Sequence, residues 1–212
     1  MIRFVQTTFA YDKEEILRRL KIREGSPAWG RATKNFDKLV EIARENMTIT
    51  ACYSIRDNDL SLGEGDAVKE GCEKMIVAFA TGSRQIGQAI LRLMDDGQFM
   101  DSYVLNDLVN DVLFKCSEQM NLEIERRMRD EGLSLTEAIF PGERGVELRY
   151  MDTLMNALKQ EGEIPATLSS NYMISPEKSV LYAYGAGRGF EGVPVKHDCA
   201  NCTFTTCFYR EK

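Results

Sequence analysis

The sequence predicts an α+β fold: a mixed or antiparallel sheet packed with several helices, one of them long and central. Three observations carry this. From about Phe99 to Arg129 the chain has neither glycine nor proline. An apolar stripe there (Val104, Leu105, Leu108, Val112, Leu113, Cys116, Met120, Ile124, Met128) recurs at helical spacing. At about 1.5 Å per residue such a helix crosses a whole domain. The apolar run Met75–Ala80 is too short for a buried helix and suits a buried strand. Met47–Ile55 is rich in β-branched residues and closed by Arg56-Asp-Asn-Asp59, which marks a strand and a turn.

The remaining elements follow in order. Asp12 caps a helix over Lys13–Arg23, with Glu14 and Glu15 in a first turn where negative charge suits the dipole. Gly25-Ser-Pro27 ends it, and a second helix runs over Thr33–Asn46. Asp66–Gly71 is a short helix or turn. After the strand at Met75, Thr81-Gly82-Ser83 is a turn capped by Ser83, and Arg84–Met94 resumes helical spacing. Strand, glycine turn and helix together can bind an anion, but the Gly-Lys-Ser/Thr ending of a P-loop is missing. Leu133–Phe140 is a strand, Pro141–Gly145 a rigid loop, and Val146–Gln160 a helix. Strands near Thr167–Ile174 and Ser179–Tyr184 follow. The glycine-rich stretch Gly185–Gly192 lacks dinucleotide-fingerprint spacing and reads as a flexible run.

With 212 residues and a net charge of −6, the chain is an ordinary globular sequence. Acidic and basic residues are interleaved, so nucleic-acid binding has no support. No stretch has the length of a membrane span and the start lacks a signal-peptide core, so a cytoplasmic location without membrane attachment is expected. Residues 1–192 are expected to form one domain and 193–212 a cysteine-rich tail. That tail holds three of six cysteines, Cys199, Cys202 and Cys207, and the only histidine, His197. Thiolates at this spacing bind zinc or an iron–sulfur cluster. Free or redox-active thiols are the alternative, and Cys72 or an exogenous group could replace His197 as the fourth ligand. With one histidine, placed in the tail, no hydrolytic triad stands out.

Four stretches, in order, resemble the stand-alone relatives of the activation domain of cobalamin-dependent methionine synthase. They are Val68–Gly82, with its Gly-Cys before an apolar strand; Leu135-Thr-Glu-Ala-Ile-Phe-Pro141-Gly142; Leu168–Val180, with Pro176-Glu-Lys178-Ser179-Val180; and the tail Cys199-x2-Cys202-x4-Cys207-Phe-Tyr-Arg210. The resemblance implies an accessory activation subunit that binds S-adenosylmethionine and docks on a corrinoid-binding methyltransferase subunit. The cobalamin is held by that partner. A flavodoxin- or ferredoxin-like donor supplies the electron that reduces Co(II), and S-adenosylmethionine traps the reduced form by methylation. The implied ligand residues are Pro141, Gly142, Glu143, Arg144, Lys178, Ser179, Val180 and Tyr182. Two positions depart from the family: an arginine three residues before the proline and a tyrosine after the glycine are here Ala138 and Glu143. Alanine cannot pair with a ligand carboxylate as arginine does; Arg144 offers a guanidinium from the same loop.

Taken as residues alone, Pro141-Gly142 is also a plain turn and Ser179-Val180 a plain strand. Two other readings therefore stand beside this one. One is a diverged metal-binding or electron-transfer module for a corrinoid protein that does not bind S-adenosylmethionine. The other is a structural interaction protein without a ligand. If the tail holds a metal, protein purified anaerobically carries stoichiometric zinc or iron, and Cys199→Ser, Cys202→Ser and Cys207→Ser remove it. Metal-free protein with three titratable tail thiols gives the opposite answer.

Overall fold

The computed structural model describes residues 1–63, 66, 69–143 and 145–189. Its elements, in order, are β1 (Arg3–Val5), α1 (Lys13–Arg19), α2 (Pro27–Asn46), β2 (Ile49–Asp57), β3 (Lys74–Gly82), α3 (Arg84–Asp95) and α4 (Phe99–Asp130). Then come β4 (Ser134–Leu135), α5 (Tyr150–Glu161), β5 (Thr167–Leu168), β6 (Ile174–Ser175) and β7 (Ser179–Gly187). Five strands make an antiparallel sheet in the order β1-β2-β3-β7-β4, and β5 and β6 pair separately.

Alternation along the strands divides the interior into two cores. Tyr53, Ile76, Ala78, Tyr182 and Tyr184 face a layer built from α1, α2, α3 and α4. Their neighbours Cys52, Val77, Phe79, Leu181 and Ala183 face the opposite side, where α5 packs with Leu154 and Leu158. The central strand β3 is covered on both faces, so it reads as a continuous apolar run rather than an alternating one.

Several elements begin or end away from the sequence-based expectation, each for a local reason. α1 stops at Arg19 because Lys21 turns into the left-handed region, at φ 57°. Ser26-Pro27, read as a terminator, instead starts α2. The Ser26 side chain accepts from the Trp29 amide and Pro27 occupies the first turn, where its missing N–H costs nothing. Ser83 does not cap α3 with its side chain. Its hydroxyl donates to the Asn46 carbonyl at 2.6 Å and accepts from the Thr48 amide at 3.2 Å, tying the end of α2 to the start of α3. The single strand expected over Thr167–Ile174 is a hairpin, closed where the Ser169 amide donates to the Met173 carbonyl. α5 starts at Tyr150, not Val146, because Val146 is held in a turn with its amide on the Glu143 carbonyl.

The long helix is present as expected, 32 residues from Phe99 to Asp130. Its expected core residues, Cys116 included, are buried. It also carries polar side chains into the interior. Arg19 of α1 meets Asp107 at 3.0 Å and Asp111 at 2.8 Å, and these side chains are 8 %, 3 % and 4 % exposed. Burial opposes the Arg19 charge, but the two carboxylates outweigh it and raise its pKa above the ordinary arginine value. Asp111 also accepts from the Asp12 amide at 2.8 Å, and Asp101 accepts from Asn35 at 2.9 Å. Removing the cation alone strands two buried carboxylates. Arg19→Met is therefore expected to cost about 3–5 kcal/mol of stability in urea denaturation. Adding Asp107→Leu and Asp111→Leu should recover much of that loss.

Candidate functional site

The edge of the sheet beyond β7 is where the chain departs from regular geometry. β4 pairs Leu135 with Ala186, and an isolated bridge pairs Ile139 with Ala183. Four steps along the edge segment thus oppose three along β7, which is a β-bulge. The strand expected over Leu133–Phe140 is therefore interrupted. Leu135 faces the helical layer and Ile139 the α5 side, although an unbroken strand would place both on one face.

Thr136 forms the start of the bulge. Its amide donates to the Gly185 carbonyl, and its hydroxyl accepts from the Gly185 amide, each at 2.9 Å. Gly185 has no room for a side chain, since a Cβ there would collide with the Cys72 sulfur and meet Thr136 at 3.1 Å. Gly185 and Gly187 therefore lie within β7 rather than in a flexible run, and the glycine allows Cys72 to abut the strand.

The bulge opens a cleft of about 250 Å³, lined by Thr136, Glu137, Ala138, Ile139, Phe140, Glu143 and Val146. The Pro141-Gly142 turn joins two of its lining residues, Phe140 and Glu143. Gly142 takes φ 95°, its amide donates to the Val146 carbonyl at 2.7 Å, and the Glu143 amide donates to the Phe140 carbonyl at 3.0 Å. Phe140 lies stacked on Tyr182, with ring centroids 5.2 Å apart.

The expected ligand residues in and just before β7 point in different directions. Lys178, Val180 and Tyr182 share the face toward α4 by their period of two. The Lys178 ammonium donates to Asn106 Oδ1 at 2.6 Å and Asn110 Oδ1 at 3.2 Å. Burial pushes its pKa below the usual lysine value. Ser179 lies on the other side of the strand, sharing a 2.6 Å hydrogen bond with Thr81 and donating to the Pro176 carbonyl at 2.6 Å. Tyr182 is 2 % exposed and its hydroxyl donates to Asn121 at 2.7 Å, so it offers the cleft a ring rather than a hydroxyl. Burial pushes that phenol far above its ordinary pKa.

Of the expected loop residues, Glu143 lines the cleft, while Pro141 and Gly142 form the turn between Glu143 and Phe140 without lining the cleft. Lys178 and Val180 lie farther along the same face of the sheet, and Tyr182 lies beneath Phe140. Arg144 and the tail residues His197, Cys199, Cys202 and Cys207 lie outside the described residues. Among the described residues no three metal-ligating side chains converge. Cys52 is buried with its thiol pushed up to about 12, and burial raises Cys72 and Cys116 as well. Sequence reasoning missed Asn106, Asn110, Thr136 and Phe140. The two asparagines, four apart in an apolar-striped helix, were the available signal, since asparagine is a poor helix former that keeps such a place for a hydrogen bond.

A class of fold is defined by this arrangement: a bulged antiparallel sheet, a long helix across one face and a Pro-Gly cleft at the edge. No protein-family model matches the sequence, and no curated protein matches it. Among solved structures, it is similar to a crystal structure of the MetH reactivation domain bound to AdoHcy. The TM-score is 0.63 at 10% identity, over 93% of this chain and 82% of that one. The two share a fold. No helix of the described residues is long and apolar enough to cross a membrane.

Because the cleft wall hangs on the close approach at Gly185, Gly185→Ala is expected to cost about 1–3 kcal/mol by overpacking. Urea denaturation measures the loss, and faster alkylation of Cys72 should accompany it as the contact opens.

Proposed function

We propose that this protein binds S-adenosylmethionine, or its demethylated product, in the cleft beside Pro141-Gly142 and serves in the reactivation of a corrinoid-dependent methyltransferase. The observation that carries this reading is the shared fold with a reactivation domain bound to AdoHcy, joined to the presence here of a cleft at the Pro-Gly loop.

The residues present suit such a ligand. Ala138, Ile139, Phe140 and Val146 give apolar surface for an adenosyl group. Glu143, which lines the cleft, would bring a carboxylate near a sulfonium. The volume is small for a ligand of this size, so the cleft would enclose the nucleoside part and leave the amino-acid part to run along the sheet. When bound, S-adenosylmethionine would supply the methyl group for a corrinoid held by the partner. This chain's share is to bind and orient, through the rigid turn at Gly142 and the Phe140 ring held on Tyr182.

The corrinoid-bearing subunit and a flavodoxin- or ferredoxin-like electron donor complete the proposal as partners. No triad is needed for such a role. Isothermal titration is expected to detect binding of S-adenosylmethionine and S-adenosylhomocysteine. With a reduced donor and S-adenosylmethionine, the protein should speed the loss of the Co(II) absorption of an inactivated corrinoid methyltransferase. Absence of binding, with and without the Co(II) protein, would overturn this reading.

A further inference from the structure

We propose that the outer face of α3 docks against the same face of a second copy of this chain, giving a two-fold dimer joined by antiparallel helices. The surface is read from spacing and exposure. Arg84, Gln88, Leu91 and Asp95 recur every three or four residues, so they form one stripe along the helix. All four are exposed, while Ile86, Ala89, Ile90 and Leu93 are buried on the opposite side. Leu91, in the middle of the stripe, is 59 % exposed. Met94, at 46 %, flanks it, and Phe99, at 67 %, begins α4 just beyond the turn. None of these residues lines the cleft.

The charges on this stripe are placed against the field of their own helix. Arg84 is the first residue of α3 and Asp95 the last. A helix favours anions at its N-terminus and cations at its C-terminus, so both charges are unfavourable where they stand. Among the described residues neither makes an ion pair. A second α3 running the opposite way removes the conflict, because it brings its own C-terminus to the N-terminus of the first.

Arg84 and Asp95 lie equally far from the midpoint of the stripe, between Ala89 and Ile90. A two-fold axis at that point sets Arg84 of each copy opposite Asp95 of the other. At about 1.5 Å per residue, the two Leu91 side chains then stand about 4–5 Å apart along the helix, close enough to cover each other. Parallel helices would instead set Arg84 on Arg84 and Asp95 on Asp95. A stripe with one charge of each sign at its ends and an apolar centre complements itself when reversed. A face built for a strongly charged partner carries one sign. One helix face with its flanks is a small interface, so the dimer is weak, with a dissociation constant of roughly 1–100 μM.

Sedimentation velocity tests this with the full chain. Over about 1–300 μM, a monomer of 24.1 kDa is expected to pass into a dimer. Leu91→Glu should hold the chain as a monomer across that range. Arg84→Asp and Asp95→Arg, each alone, should weaken association about tenfold or more, since each replaces two attractions by two repulsions. Mixed in equal amounts, the two variants should associate as well as the unaltered chain, because each mixed dimer restores both opposite-charge pairs. The double variant Arg84→Asp with Asp95→Arg should do the same by itself. At about 1 μM, where the chain is monomeric, none of these exposed substitutions should lower Tm. A chain that stays monomeric throughout, or a dimer that Leu91→Glu leaves intact, overturns the proposal. So do single charge variants that associate normally, or a mixture no better than its components. A monomeric chain in which Leu91→Glu slows the loss of Co(II) absorption also overturns it, and gives this face to the corrinoid-bearing protein instead.

Discussion

The rest of the structure depends on how α4 satisfies the polar side chains it carries into the interior. A helix that crosses the sheet with Asp101, Asp107, Asp111 and Asn121 buried would be unstable if those groups went unpaired. Each partner comes from a different element. Asn35 of α2 meets Asp101, Arg19 of α1 meets Asp107 and Asp111, and Tyr182 of β7 meets Asn121. Half-buried Asn106 and Asn110 take Lys178 from the residue preceding β7. Apolar contact between helices and sheet is non-directional and tolerates sliding. Hydrogen bonds and ion pairs do not. They set the register of α1, α2 and β7 against α4, and β7 in turn carries the cleft.

The bulge at the sheet edge is the second constraint. A regular strand over Leu133–Phe140 would place its side chains alternately on the two cores and leave no opening. The extra residue between Leu135 and Ile139 flips Ile139 to the α5 side. This leaves the Thr136–Phe140 segment free to form a wall. The bulge is anchored by Thr136, whose hydroxyl accepts the Gly185 amide, and by the absence of a side chain at Gly185. A threonine and a glycine nearly fifty residues apart thus create the cavity together. The bulge shapes the cleft, and the α4 polar seam fixes the strand beside it.

Much of the architecture was legible from local pattern. The helical stripe from Val104 to Met128, the Asp12 cap and the apolar run at Met75–Ala80 each express a period or a cap that nearby residues impose. The Pro141-Gly142 turn was legible for the same reason, since glycine takes the φ of 95° that other residues resist. Errors arose where one short signal had two meanings. Ser26-Pro27 ends one segment and starts the next equally well, and Ser169–Tyr172 can be strand or turn until its partners are known.

By itself, the sequence determined the fold class, the long helix, the buried central strand and the Pro-Gly turn, because those depend on periodicity and backbone preference within a few residues. Only the tertiary structure decided the pairing of Arg19 with two aspartates, the bulge opposite Gly185, the inward turn of the Tyr182 hydroxyl and the capture of Lys178 by two asparagines. Each of these joins residues from 49 to 92 positions apart. Such contacts are chosen by which buried groups must satisfy one another once the layers close, and no local pattern records that choice.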